Sequence, residues 1–113
     1  MALHTETIIH SERWGYAGMC DEIGTWQSLR RRTMVTIDVK SGAKDPAHGP
    51  QTAAYAEPLR DMGLLEGKHT QRCVVRVQAD GFYGIDHFGD HADWPIFLAC
   101  LTTHKFKVKH GLL

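Results

Sequence analysis

The stretch Arg32-Thr33-Met34-Val35-Thr36-Ile37-Asp38-Val39-Lys40 constrains this chain most. β-Branched residues dominate it, and they pack well on a pleated strand while crowding a helix. A strand sends residues i and i+2 to one face. Asp38 and Lys40 therefore share a face, and Val39 between them points into the opposite layer. Asp21 lies upstream in Tyr16–Trp26, which also reads as strand, with Gly18 and Gly24 marking a bulge or close backbone approach. If the two strands meet, two carboxylates converge with a lysine beside them. A divalent cation and an attacking water need that set for phosphodiester cleavage.

The bulk composition bounds the answer without supplying it. A chain of 113 residues, 42% apolar and 23% charged, makes one globular domain with a modest core. Lys+Arg and Asp+Glu both number 13, so net charge carries no nucleic-acid signal and local clusters matter more. Two stand out, Arg30-Arg31-Arg32 and Lys105, Lys107, Lys109 with His110. Each reads equally as a phosphate contact or as a solvated turn or tail. Cys20, Cys73 and Cys100 are scattered with no C-x-x-C spacing, and are expected to be reduced and mostly buried. No basic start with an apolar run opens the chain, and no stretch reaches membrane-spanning length. The expectation is a soluble, cytoplasmic protein.

The pattern predicts an α/β fold in the order β-β-β-α-β-β-α. Strands over Thr5–Arg13, Tyr16–Trp26 and Arg32–Lys40 form an antiparallel meander, with a turn at Trp14-Gly15. Ser41 to Pro50 is a loop, and Pro50 suits the first turn of a helix running to about Leu65. Pro58 falls inside that helix, and its ring would clash with the Ala54 carbonyl, which predicts a kink or break. Gln71–Gln78 alternates, with Cys73, Val75 and Val77 on one face and Arg72, Val74, Arg76 and Gln78 on the other. Asp80-Gly81 is a hairpin turn, and Phe82–Phe88 returns as a strand. Asp90 or His91 would cap a last helix with Trp94, Phe97, Leu98 and Leu101 as its apolar stripe.

On these residues the chain resembles the PD-(D/E)XK nucleases of the RecB-like group, which includes phage exonucleases and CRISPR adaptation nucleases. Gly18-Met19-Cys20-Asp21-Glu22-Ile23-Gly24 matches the Gly-x-Pro-Asp-type segment, with Cys20 in place of proline. Ile37-Asp38-Val39-Lys40-Ser41-Gly42 matches the acid-x-lysine motif, and Gln51-Thr52-Ala53-Ala54-Tyr55 the Gln-x-x-x-Tyr motif. The order and spacing of the three together are more specific than any one, and the resemblance covers roughly residues 6 to 100. It implies a restriction-endonuclease-like mixed sheet flanked by helices, DNA as substrate, and Mg²⁺ or Mn²⁺ as cofactor. Asp21, Asp38 and the backbone carbonyl of Val39 would hold the metal, with Lys40 beside the attacking water. Gln51 and Tyr55, one helical turn apart, would face the same site. The family usually has a helical region before its first strand that adds an acid or histidine. Here about five residues precede that strand, so Glu6 or His10, or a partner chain, would have to substitute.

Other readings stand beside this one. His87 and His91 with Asp90 and Asp93 suggest zinc, but a strand end running into a helix cap need not bring them together. No cysteine sits in an activating setting. An alternative to the nuclease is a catalytically weak or inactive nucleic-acid-binding or assembly module on the same fold. A sheet lacking the first helix would leave apolar surface or an edge exposed, which predicts a homodimer.

Overall fold

The computed structural model describes residues 2–27, 32–65 and 70–113. Five strands form one sheet: β1 (Ala2–Ser11), β2 (Tyr16–Gln27), β3 (Arg32–Ser41), β4 (Thr70–Val77) and β5 (Tyr83–Phe88). Helix α1 (His48–Asp61) separates β3 from β4, and α2 (Asp93–Lys109) follows β5. The predicted element order holds, and the strands lie side by side in chain order. Three pairs are antiparallel, while β3 and β4 run parallel. A parallel pair needs a crossover, and α1 supplies it. The turns use the expected chemistry. Gly15 (φ 70°) donates to the Ser11 carbonyl at 2.7 Å, and Gly81 has φ 86° beside Asp80, whose carboxylate accepts from the Phe82 N–H at 3.0 Å.

Helix α1 differs from expectation at both ends and in the middle. It starts at His48, so Pro50 still falls in its first turn, and it ends at Asp61, short of Leu65. Gly63 (φ 76°) stops it, with the Leu64 N–H donating to Leu59 O at 2.9 Å and the Gly63 N–H to Arg60 O at 3.1 Å. Pro58 does not break it. Proline has no N–H, so the Ala54 carbonyl loses its helical donor. The Tyr16 hydroxyl on β2 donates to that carbonyl at 2.7 Å, so the orphaned acceptor is satisfied from the sheet. The half-buried Tyr16 hydroxyl resists ionisation, its pKa raised by burial and by nearby Glu57 and Asp61.

The core lies between α1 and the sheet, where Ile9, Cys20, Ile23, Ala56, Leu59 and Leu65 pack with Tyr16, Met34 and Tyr55. Helix α2 is capped at Ala92 rather than by the side chain of Asp90 or His91. Asp90 instead accepts from the Ala92 N–H at 2.8 Å, shaping the turn before the helix. The predicted stripe of Trp94, Phe97, Leu98 and Leu101 is half-buried. Its docking is aromatic: Phe97 meets Tyr16 at 4.9 Å and stacks on Trp94 at 5.7 Å, and Trp94 meets Trp14 at 6.0 Å. Arg72 on β4 ties the helix starts together, donating to Gly49 O (2.9 Å), Thr52 Oγ1 (3.2 Å), Asp93 Oδ2 (2.9 Å) and Asp90 O (3.1 Å). The opposite face of the sheet carries exposed Ile8, Met19, Val39, Val77, Tyr83 and Ile85. Val39 points away from Asp38 and Lys40 as expected, but among the described residues it meets no covering layer and is 52% exposed. Among the described residues no helix is long and apolar enough to cross a membrane.

The Tyr16–Ala54 bond makes a checkable coupling. Tyr16→Phe leaves a buried carbonyl without a donor and is expected to cost about 1–3 kcal/mol in urea unfolding. Pro58→Ala restores an intrahelical N–H to Ala54. It should therefore recover most of that loss in the double variant, giving a non-additive cycle.

Candidate active site at the fork of the sheet

The β2–β3 ladder ends at Glu22↔Ile37. Beyond it β2 stays with β1 as far as Ser11↔Tyr16, and β3 stays with β4 as far as Ser41↔Val77. The sheet forks there, and Asp21 and Asp38 are the first residues past the split. Backbone groups on the inner edges of a fork lose their ladder partners and must find others. The Val39 N–H finds the Asp21 carboxylate, donating to Oδ2 at 2.8 Å. In an extended strand the carbonyl of a residue leaves on the same edge as its N–H. The Val39 carbonyl therefore faces the fork as well.

Local backbone distortion aims Asp21 along the sheet rather than out of it. Cys20 and Ile23 are three apart yet bury in the same cluster, so the alternation of β2 is interrupted between them. At the same level on β1, Glu6 has φ 48°, the only described non-glycine residue in the left-handed region. Strain of this kind persists where surrounding structure enforces it, and it gathers at functional sites.

The acids differ in surroundings. Asp38 is buried, and the Lys40 ammonium lies 3.1 Å from its Oδ2. The Lys40 ammonium is the partner of that buried oxygen, although the pair falls short of an aligned hydrogen bond. Burial raises the Asp38 pKa, and the neighbouring Asp21 raises it further despite Lys40. Asp21 moves down, held by its hydrogen bond with Asp38, by the Val39 N–H and by Lys40. Like charges so close oppose each other's ionisation, and the two acids shift in opposite directions.

Helix α1 closes the site. Gln51 Nε2 donates to the Tyr55 hydroxyl at 3.2 Å, so the predicted one-turn pair does meet. The Tyr55 pKa is raised by burial first and then by Asp38. The structure thus brings Asp21 to the Val39 N–H, Lys40 to Asp38, and Gln51 to Tyr55. It does not gather Glu6, which is exposed on β1. Among the described residues no three His, Cys, Asp or Glu side chains cluster as metal ligands. His10 is exposed on β1 as well. The zinc residues serve elsewhere: Asp93 pairs with Arg72, Asp90 shapes a turn, and His87 Nδ1 lies 3.3 Å from Cys73 Sγ. Burial pushes the Cys20 thiol up to about 11, so it stays protonated beside the acids. Cys20 and Cys73 are buried as expected, but Cys100 is exposed. Arg30 and Arg31 lie outside the described residues. Lys105, Lys107, Lys109 and His110 are exposed at the end of α2.

Arg76 is an addition that the sequence reading left unused. It pairs with Lys40 across β3 and β4, on the same face, and grips Asp86 with two bonds of 2.6 and 3.3 Å. The ion pair holds the Asp86 carboxyl below its ordinary range, and Lys44 and His48 add to this. The signal was the arginine at alternate positions of β4, on the face that would otherwise be apolar. Compared with known protein families and with curated proteins, the chain matches none.

The donor set fits a hard divalent cation. Two carboxylates converge, a backbone carbonyl faces them, and Asp38 Oδ2 is buried with only the Lys40 ion pair beside it. A cation would need both acids ionised, which the raised pKa of Asp38 opposes. Mn²⁺ affinity is therefore expected to rise with pH through the Asp38 titration, with proton release visible by calorimetry in buffers of different ionisation enthalpy. In chelator, above that titration, Asp38→Asn removes the buried charge. It should melt higher by on the order of 1 kcal/mol, roughly 4–8 °C. Mn²⁺ should raise the melting temperature of the parent and not of the variant.

Proposed function

We propose that this chain is a Mg²⁺- or Mn²⁺-dependent deoxyribonuclease of the PD-(D/E)XK type. The observation that carries the reading is the meeting of Asp21 and Asp38 at the fork, with the Lys40 ammonium 3.1 Å from Asp38. When bound, the cation would supply a nucleophilic hydroxide at neutral pH and positive charge for the phosphoryl oxygens. The protein's own part is positional. Asp21 and Asp38 hold the cation, with the Val39 carbonyl completing the protein share of its shell. Lys40 orients the water and stabilises charge developing at phosphorus. Gln51 holds the Tyr55 hydroxyl by its hydrogen bond. Arg76 is anchored by Asp86 on the same face and adds positive potential along the path of the phosphates.

Lys40→Ala should lower kcat by about 10²–10³ on plasmid and linear DNA with Mn²⁺, while the Mn²⁺-induced rise in melting temperature persists. Asp38→Ala should lose both. Unchanged cleavage in either variant would refute the assignment. The donor set of two acids, with no third among the described residues, favours a one-cation site. It also supports the rival reading of a catalytically weak or inactive nucleic-acid module. Mn²⁺ binding without cleavage of any DNA would select that rival.

The uncovered sheet face supports self-association. Val39, Val75 and Ile85 are paired in one row, and Ser41, Val77 and Tyr83 in the next, across β3, β4 and β5. Ile8 and Met19 extend the face on β1 and β2. Five strands span about 24 Å and eight residues about 27 Å. That area approaches the roughly 800 Å² per partner of standard interfaces. A second copy packed face to face buries it with a two-fold axis. Light scattering should give a dimer that Ile85→Lys converts to a monomer retaining its response to Mn²⁺. A monomeric parent would refute the interface.

A further inference from the structure

Two rows of residues cross β3, β4 and β5 on the face that carries Asp38. Asp38, Val74 and Asp86 are register partners in one row, and Lys40, Arg76 and Gly84 are partners in the next. Neighbouring strands lie about 4.8 Å apart, so the second row runs roughly 10 Å from β3 to the edge strand β5. Like charges side by side on neighbouring strands oppose each other, yet lysine and arginine stand together in this row. Each is matched by an acid of the first row. Lys40 lies 3.1 Å from Asp38, and Arg76 grips Asp86.

The Arg76 pair orients the guanidinium without using it up. Asp86 is buried and takes one edge of the group, accepting from Nε at 2.6 Å and from Nη2 at 3.3 Å. Arginine carries donors on both edges of a rigid fork. Among the described residues Arg76 Nη1 donates to nothing, and the side chain keeps 18% of its surface open to solvent. Gly84 makes room for this placement. A Cβ there would stand 2.8 Å from Arg76 Nη2, so the guanidinium lies against bare β5 backbone. Positive potential at Asp86 comes from Arg76 first and also from Lys44 and His48, so one acid does not cancel the charge at this end. A fixed guanidinium with an unused edge, beside an ammonium and one row from Asp38, suits a phosphoryl oxygen. We propose that Arg76, oriented by Asp86, holds the phosphate next to the scissile one, so that the substrate strand crosses from the acid pair over β4 and leaves past Gly84. This rests on the nuclease reading and adds to it the line along which the strand lies. Arg76 touches substrate in that arrangement, and Asp86 is a positioning residue that acts through it.

The first test needs no cleavage. In chelator, binding of a fluorescent DNA oligonucleotide is measured against salt concentration. Asp86→Asn retains the charged arginine and should keep the parent's slope of log affinity against log salt. Adding Arg76→Gln leaves no buried carboxylate unpaired. It should weaken binding about tenfold and lower the slope by about 0.7–0.9, the share of one phosphate. An ion pair that only fastened β4 to β5 would change the melting temperature and not the slope, so an unchanged slope overturns the proposal. The second arm locates the phosphate. An end-labelled strand with one uncharged methylphosphonate linkage is cleaved with Mn²⁺, and the cuts are mapped. In the parent the substitution should reduce cleavage at the adjoining linkage about tenfold. In the double variant it should add no further loss, because the contact is already gone. Equal loss in both proteins would overturn it. The arms separate the two readings. A reduced slope without cleavage by the parent supports the phosphate site and sinks the nuclease, whereas metal-dependent cleavage with an unchanged slope does the reverse.

Discussion

The hydrogen bond from the Val39 N–H to the Asp21 carboxylate governs this structure. Strands that part leave backbone donors without their ladder partners, and these must find others. A carboxylate is the strongest acceptor available for that donor. By serving it, Asp21 joins the two arms of the sheet at the point where the ladder ends. The same bond favours the ionised form of Asp21, whose pKa is lowered while that of Asp38 is raised.

Local pattern made some of this legible. The i, i+2 spacing of Asp38 and Lys40 put both on one face, and the one-turn spacing of Gln51 and Tyr55 joined that pair. The stripe of α2 was legible because 3.6-residue periodicity is a property of the segment alone. What escaped was long-range. Pro58 predicted a break because its missing partner is local, whereas the remedy, Tyr16, sits 38 residues from Ala54. The cap of α2 was misplaced because Asp90 has two turn-forming uses and took the one just outside the helix. Glu6 was placed near the metal by strand order, but side-chain direction depends on a backbone distortion that no residue pattern announces.

The two faces of the sheet are coupled through β3. The Val39 side chain stands on the uncovered face, and its N–H holds Asp21 in the site on the other side. Ile37 and Val75 flank it on the same face as members of the β3–β4 ladder. Whatever covers that face would therefore press on the strand that carries Asp38 and Lys40.

The acid pair also shows how a site can be poised against its own fold. Asp38 holds its proton more tightly in the folded chain than in the unfolded one. Its contribution to stability is full below the unfolded carboxyl range and is lost as pH rises through the raised folded value. Asp21 behaves oppositely, stabilising above the unfolded range and losing that contribution as pH falls through its lowered value. A cation between the acids would offset the repulsion that separates their pKa values. Lys40 alone does not achieve this, because one ammonium on one side of Asp38 leaves Asp21 facing it across the fork.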